Sequence, residues 1–289
     1  MKWTPGYRSR DVEDRRGQGG GMVRRGLPLG LGGLVLLLVL SWLTGQDFLS
    51  LVGGGGGFPD QASTSPRPGA GGAASASPTE QQRFALVSEA LDSVQDTWEQ
   101  LLPGRYRRAR LVVFDQPLQT TCGVAESSIG PFYCPGDEKA YIDLSFYDDL
   151  DRRFGAAGDF AQAYVLAHEI GHHVQAVLGV ERQVRALQRR NPGAANQLSV
   201  LMELQADCFA GVWGYYANRQ GRLDPGDFEE GLGAAAAIGD DRMMKMAGRR
   251  VNPESFTHGS SAQRVEWLRR GLQSGQVEAC DTFKAAGLR

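Results

Sequence analysis

Between Gly26 and Gln46 the chain carries no charged residue, and this gap divides the rest of the sequence. A helix needs about 20 mostly apolar residues to cross the roughly 30 Å hydrocarbon layer, so residues 26–46 predict a single transmembrane anchor. Ahead of it, residues 1–25 hold Lys2, Arg8, Arg10, Arg15, Arg16, Arg24 and Arg25 against only Asp11, Glu13 and Asp14. Such a basic flank favours the cytoplasmic side. It predicts a cytoplasmic segment over 1–25 and, beyond the anchor, a periplasmic or extracellular remainder. A cleaved signal peptide is the competing reading. The apolar run exceeds the usual 7–15 residues or so, and no Ala-x-Ala site follows it.

Residues 47–79 include the unbroken run Gly53 to Gly57 and are dominated by Gly, Ala, Ser and Pro towards Pro78. That composition predicts a flexible linker that cannot bury enough apolar surface to fold. Residues 80–289 remain, enough for one well-buried domain. The whole chain's net charge of −2 gives no general electrostatic footprint for nucleic acid.

Within the domain, Phe84, Val87, Leu91, Val94, Trp98 and Leu101 recur at helical steps and predict an amphipathic helix ended by Pro103-Gly104. Leu111 to Phe114 reads as a short strand. Pro131 to Cys134 and Ala140 to Asp143 read as a strand pair across the turn residues Pro135-Gly136-Asp137. A small sheet thus precedes the next helix, about Asp159 to Leu178, which Gly179 is placed to stop.

That helix holds His168-Glu169-Ile170-Gly171-His172-His173, three of the four histidines in the chain. Residues four apart share a helical face, so His168 and His172 can offer two imidazole nitrogens to one metal ion. Glu169 lies beside them, free to take a proton from a metal-activated water. His173 is rotated off that face and reads as a supporting or packing group.

A catalytic zinc site normally takes three protein ligands and keeps one position open. The candidates for the third are His258 and a carboxylate. A second long helix, about Gln197 to Arg219, carries Glu203 and Asp207 on one face among Leu201, Leu204, Phe209 and Trp213. Two acids there are costly to bury unless paired or metal-bound. Ligation by Glu203 removes the cost, and Asp207 can hydrogen-bond the outer nitrogen of a ligating histidine. Ser260 and Gln263 read as a capping box opening a helix with Arg264, which could pair with Asp207.

Four cysteines allow three pairings, or buried free thiols. Cys122 with Cys134 closes the shortest loop, leaving Cys208 with Cys280, and an oxidising compartment would permit both. The absence of any C-x-x-C pair argues against a four-cysteine zinc site or a thiol-redox motif.

His168-Glu169-x-x-His172 followed by Glu203-Leu204-Gln205-Ala206-Asp207 resembles the family named Putative neutral zinc metallopeptidase, and more distantly the CAAX-prenyl protease group of gluzincins. Val12 to Arg16 within the opening Trp3 to Arg16, the single anchor, Pro131 to Pro135 and Ile238-Gly239-Asp240-Asp241-Arg242 carry the same resemblance. It implies a zincin-like α+β fold, mainly helical with a small sheet before the H-E-x-x-H helix, and Glu203 as third ligand. His258 and Arg264 stand where that group has a histidine and an arginine near the end of the domain. The resemblance implies that His258 stabilises the transition state. Gly259 departs from the proline usual in the distant relatives.

These readings converge on a membrane-anchored metalloendopeptidase with one Zn2+ per chain and protein or peptide substrates. A binding module of the same fold, holding metal for structure alone, is the rival. A closed fourth zinc position would favour the module, an open one the enzyme.

Overall fold

A computed structural model describes residues 1–18 and 77–288. In chain order the elements are strand β1 (Val12–Asp14), helix α1 (Pro78–Leu101), strands β2 (Arg110–Phe114), β3 (Leu118–Thr120), β4 (Gly123–Ala125), β5 (Phe132–Cys134) and β6 (Lys139–Asp143), then helices α2 (Phe146–Arg152), α3 (Asp159–Leu178), α4 (Val180–Arg190), α5 (Ala195–Arg219), α6 (Asp227–Ala237), α7 (Asp240–Met246), α8 (Ser261–Ser274) and α9 (Thr282–Ala285). The fold is a mainly helical α+β arrangement in which the small sheet precedes the histidine helix.

Helix α1 starts where Ser77 accepts the Glu80 N–H and Pro78 takes the first turn, where a missing N–H costs nothing. Its stripe of Phe84, Val87, Leu91, Val94 and Trp98 is buried. Trp98 meets Phe209 of α5 edge to face, with ring centroids 5.2 Å apart. Helix α3 ends as expected at Gly179, which adopts φ 79°. It also approaches α5 closely at Gly171. A Cβ there would lie 2.9 Å from the Ala206 carbonyl oxygen, so the glycine between the two site histidines lets the helices meet. Helices α5 and α8 cross still closer at Gly211 and Gly271, where an added Cβ would fall 2.3 Å from the Leu268 carbonyl and 2.0 Å from that of Cys208. Disulfides join Cys122 to Cys134 and Cys208 to Cys280, the latter tying α5 to the C-terminal segment.

The four-stranded sheet has the order β1-β2-β6-β5, with β1, β2 and β6 parallel and β5 antiparallel to β6. Its first strand comes from the opening segment, and residues 1–18 lie in one compact unit with the domain rather than apart from it. Val12, Glu13 and Asp14 pair with Leu111, Val112 and Val113. Around that ladder Asp11 meets Arg108 at 2.6 Å, Glu13 meets Lys139 at 2.8 Å and Arg16 meets Glu80 at 2.8 Å. The Trp3 indole N–H donates to Asp159 at the start of α3. The predicted anchor, 26–46, and nearly all of the predicted linker lie outside the described residues. Among the described residues no helix is long and apolar enough to cross a membrane.

Candidate metal centre

Helix α3 brings His168 and His172 to one face, and the close contact at Gly171 sets Glu203 of α5 opposite them. His168 Nε2 lies 3.2 Å from Glu203 Oε2, and His172 Nε2 lies 3.4 Å from Glu203 Oε1. The donor atoms of all three residues fall within 4.8 Å of one another. Tetrahedral bonds of about 2.0–2.1 Å to zinc would set neighbouring ligand atoms roughly 3.3 Å apart.

The hydrogen bonds behind the histidines decide what fits between these atoms. His168 Nδ1 is 2.8 Å from Asp207 Oδ1, an acceptor, so the ring proton sits on Nδ1. His172 Nδ1 is 2.9 Å from Gln175 Oε1. Gln175 uses its Nε2 to donate to the Met202 carbonyl and to Gln205 Oε1, which fixes its oxygen as the acceptor. Both Nε2 atoms are left as lone pairs converging on a carboxylate. Three acceptors with no proton among them repel unless a cation lies between, so the donor chemistry fits a metal ion. A proton is the alternative occupant. Burial, the largest influence on His168, opposes its charging, yet Asp207 and Glu203 hold its pKa up at about 10. Glu203 is also opposed by burial, but the two imidazoles hold it well below the usual carboxylate range.

Asp207 is wholly buried and anchors this arrangement. Arg264 of α8, 3% exposed, grips it through Nε and Nη2, both at 2.8 Å, and Tyr164 donates its hydroxyl at 2.6 Å. Burial works to raise the Asp207 pKa, but Arg264 and His168 prevail and keep it at about 2. Glu169 is treated differently. Among the described residues nothing hydrogen-bonds its carboxylate, which borders a cleft of about 550 Å³. Phe132, Tyr133, Phe146, Phe154, Val165 and Met243 form much of its apolar wall, and the three candidate ligands its polar floor.

Of the other residues singled out from the sequence, His258 also borders this cleft and contributes no atom to the metal cluster. His173 is fully buried and points away. Its Nε2 donates to the Arg107 carbonyl at 2.6 Å, and its Nδ1 accepts the Tyr133 hydroxyl at 2.9 Å, pinning α3 to β5. Two supporting residues escape sequence reasoning, Tyr164 and Gln175, and Asp240 is marked only as part of the Ile238 to Arg242 motif, without a role. Gln175 had one visible signal, its position three residues after His172 on the same helix.

Two histidines one turn apart, a glutamate from a second helix and an unengaged acid beside them form the donor set that zinc-dependent hydrolases use. A sequence model of the family described as Putative neutral zinc metallopeptidase matches residues 1–283, and the chain belongs to that family. It is 47% identical to the uncharacterized protein YpfJ of Escherichia coli K12 over 291 residues, covering 98% of this chain and 99% of the relative. It is 46% identical over 208 residues to the uncharacterized proteins Mb2605 of Mycobacterium bovis and Rv2575 of Mycobacterium tuberculosis, covering 68% of this chain and 69% of each. No solved structure matches it.

Proposed function

We propose that the chain is a zinc metalloendopeptidase acting on extended segments of proteins outside the cytoplasm. The observation that carries this reading is the set of three converging acceptors beside Glu169, opening on a cleft. His168, His172 and Glu203 would hold the zinc. Among the described residues the cluster has three ligands and no fourth, which favours an open, catalytic position over a closed structural one. Zinc bound there would lower the pKa of a water towards roughly 7 and polarise a carbonyl. Glu169, without a hydrogen-bond partner among the described residues, would take the water proton as the carbonyl carbon is attacked and deliver it to the leaving amine. Strand β5 ends the sheet and borders the cleft with Phe132 and Tyr133, so an extended peptide can add along its outer edge. The apolar wall then takes a large apolar side chain next to the cleaved bond.

The two disulfides support an oxidising location. The β1 pairing supports placing residues 1–18 in the same compartment as the domain.

The test is zinc content of the full chain in detergent together with cleavage of an unstructured protein such as casein, with and without chelator. One zinc per chain and chelator-sensitive cleavage are expected, and Glu169→Gln is expected to keep the zinc and lose cleavage. No zinc would defeat the reading, while a zinc-loaded chain that cleaves nothing would favour the binding module. Loss of both zinc and cleavage in the variant would make Glu169 structural.

A further inference from the structure

Asp240 opens α7 outside the metal cluster, yet it organises the loop that carries His258. Its Oδ2 accepts three successive backbone N–H groups, from Thr257 at 2.8 Å, His258 at 2.7 Å and Gly259 at 3.0 Å. Its own N–H returns a hydrogen bond to the Gly259 carbonyl at 2.9 Å. Its second oxygen, Oδ1, lies 3.2 Å from His258 Nδ1, where the Thr257 hydroxyl also approaches to 3.0 Å. The turn is made at Gly259, with φ 95°. Proline is fixed near −65° and could not make it, which gives the departure from the distant relatives a physical reason.

One carboxylate thus fixes both the backbone and the ring of His258. With Nδ1 engaged, Nε2 is the ring nitrogen without a hydrogen-bond partner among the described residues, and the ring borders the cleft. We infer that Asp240 is a positioning residue, which holds His258 so that Nε2–H is presented to the oxygen of the carbonyl under attack. This rests on the peptidase reading. A neutral ring with its proton on Nδ1 offers only a lone pair at Nε2, so donation there requires the imidazolium. The charged groups acting on His258 are Asp240, Glu203 and Arg264. The hydrogen bond that the His258 ring donates to Asp240 is the strongest influence and raises the His258 pKa, with Glu203 adding to it and burial and Arg264 opposing. Asp240 thus favours the charged ring, the form in which Nε2 can donate, and that donor is lost as the ring deprotonates with rising pH.

The test compares Asp240→Asn, His258→Ala and the double variant in the zinc-loaded full chain. Asparagine keeps an oxygen for the three backbone N–H groups and removes the charge, so the loop survives. His258→Ala is expected to lower kcat about 10²- to 10³-fold with little change in KM, the scale of one lost oxyanion donor. Asp240→Asn is expected to lower kcat at least about tenfold and to move the alkaline limb of its pH profile downward. The double variant is expected to be no slower than His258→Ala, since Asp240 acts through the histidine. Carbon-13 labelling of the four histidine rings gives a readout that needs no substrate. The His258 midpoint should fall in Asp240→Asn while the other three stay put. Multiplying losses in the double variant, zinc loss in Asp240→Asn, or an unmoved His258 midpoint would each overturn the inference. Absence of cleavage by the unaltered chain would instead count against the peptidase reading, and the ring titration would still decide whether Asp240 sets the state of His258.

Discussion

Replacing Arg264 by methionine removes the partner of a carboxylate with no exposure to water. Asp207 would lose two charge-assisted hydrogen bonds of 2.8 Å and keep those from His168 and Tyr164. Breaking one side of a buried pair costs about 3–5 kcal/mol, because the remaining charge is stranded. In a domain of this size each kcal/mol moves Tm by roughly 2–4 °C, so the variant is expected to melt about 6–20 °C lower. The assay is calorimetry of the zinc-loaded full chain at fixed free zinc, since metal bound to the folded state adds its own stabilisation. A companion variant separates charge stranding from lost packing. Asp207→Leu with Arg264→Met removes both charges, and apolar replacement of buried pairs is often neutral or better. It is expected to regain at least half the lost stability while zinc affinity falls about 10- to 100-fold, because His168 loses the acceptor that orients it. If Arg264→Met alone stays within about 1 kcal/mol of the unaltered protein, the pair is not the anchor that its burial implies.

Removal of the disulfides should scale with the loops they close, which span 12 and 72 residues in sequence. The chain-entropy relation gives about 3 kcal/mol for serines at Cys122 and Cys134 and about 4 kcal/mol for serines at Cys208 and Cys280. Denaturant midpoints would test that order, and equal or reversed losses would contradict it. Compartment can be read by thiol labelling, because all four native cysteines are paired and leave no background. With a membrane-impermeant maleimide on spheroplasts, Lys2→Cys and Arg152→Cys, at positions whose side chains are 65% and 79% exposed, should label alike. Protection of the first alone would put residues 1–18 across the membrane and break the β1 pairing.

Much of the fold was legible because local signals agreed. The apolar steps from Phe84 to Trp98 and the glycine after Leu178 each constrain the backbone over a few residues. Helix α3 accordingly runs over the span that its pattern predicts, and α5 begins two residues before its expected start. The pairing of His168 with His172 follows from helical geometry alone. Glu203 and Asp207 were visible because acids on an apolar face call for partners. Tyr164 and Gln175 were not, because each is an ordinary residue on a helical stripe until the crossing of α3 with α5 gives its polar atom a partner. The role of Asp240 was hidden for a related reason. Its partners lie 17 to 19 residues away on a loop whose path depends on one glycine dihedral.

The strand in the opening segment escapes the sequence for a physical reason. A cluster of arginines ahead of an apolar stretch is what the cytoplasmic face of a membrane selects, and the count of charges carries that meaning only while they are solvated. Here several are spent inside the fold. Arg16 bridges Asp14 and Glu80 and lies 4.7 Å from the ring centre of Phe84, and Arg8 stacks on the same ring at 5.0 Å. Asp11 and Glu13, which read as minor acids among the bases, supply the contacts to Arg108 and Lys139 that fasten β1 to the domain. Charges committed to such pairs are weak signals of sidedness. The alternation around Val12 to Asp14 is too short to announce a strand, since three residues fit almost any pattern. Only the partner strand, nearly a hundred residues on, gives those residues a role.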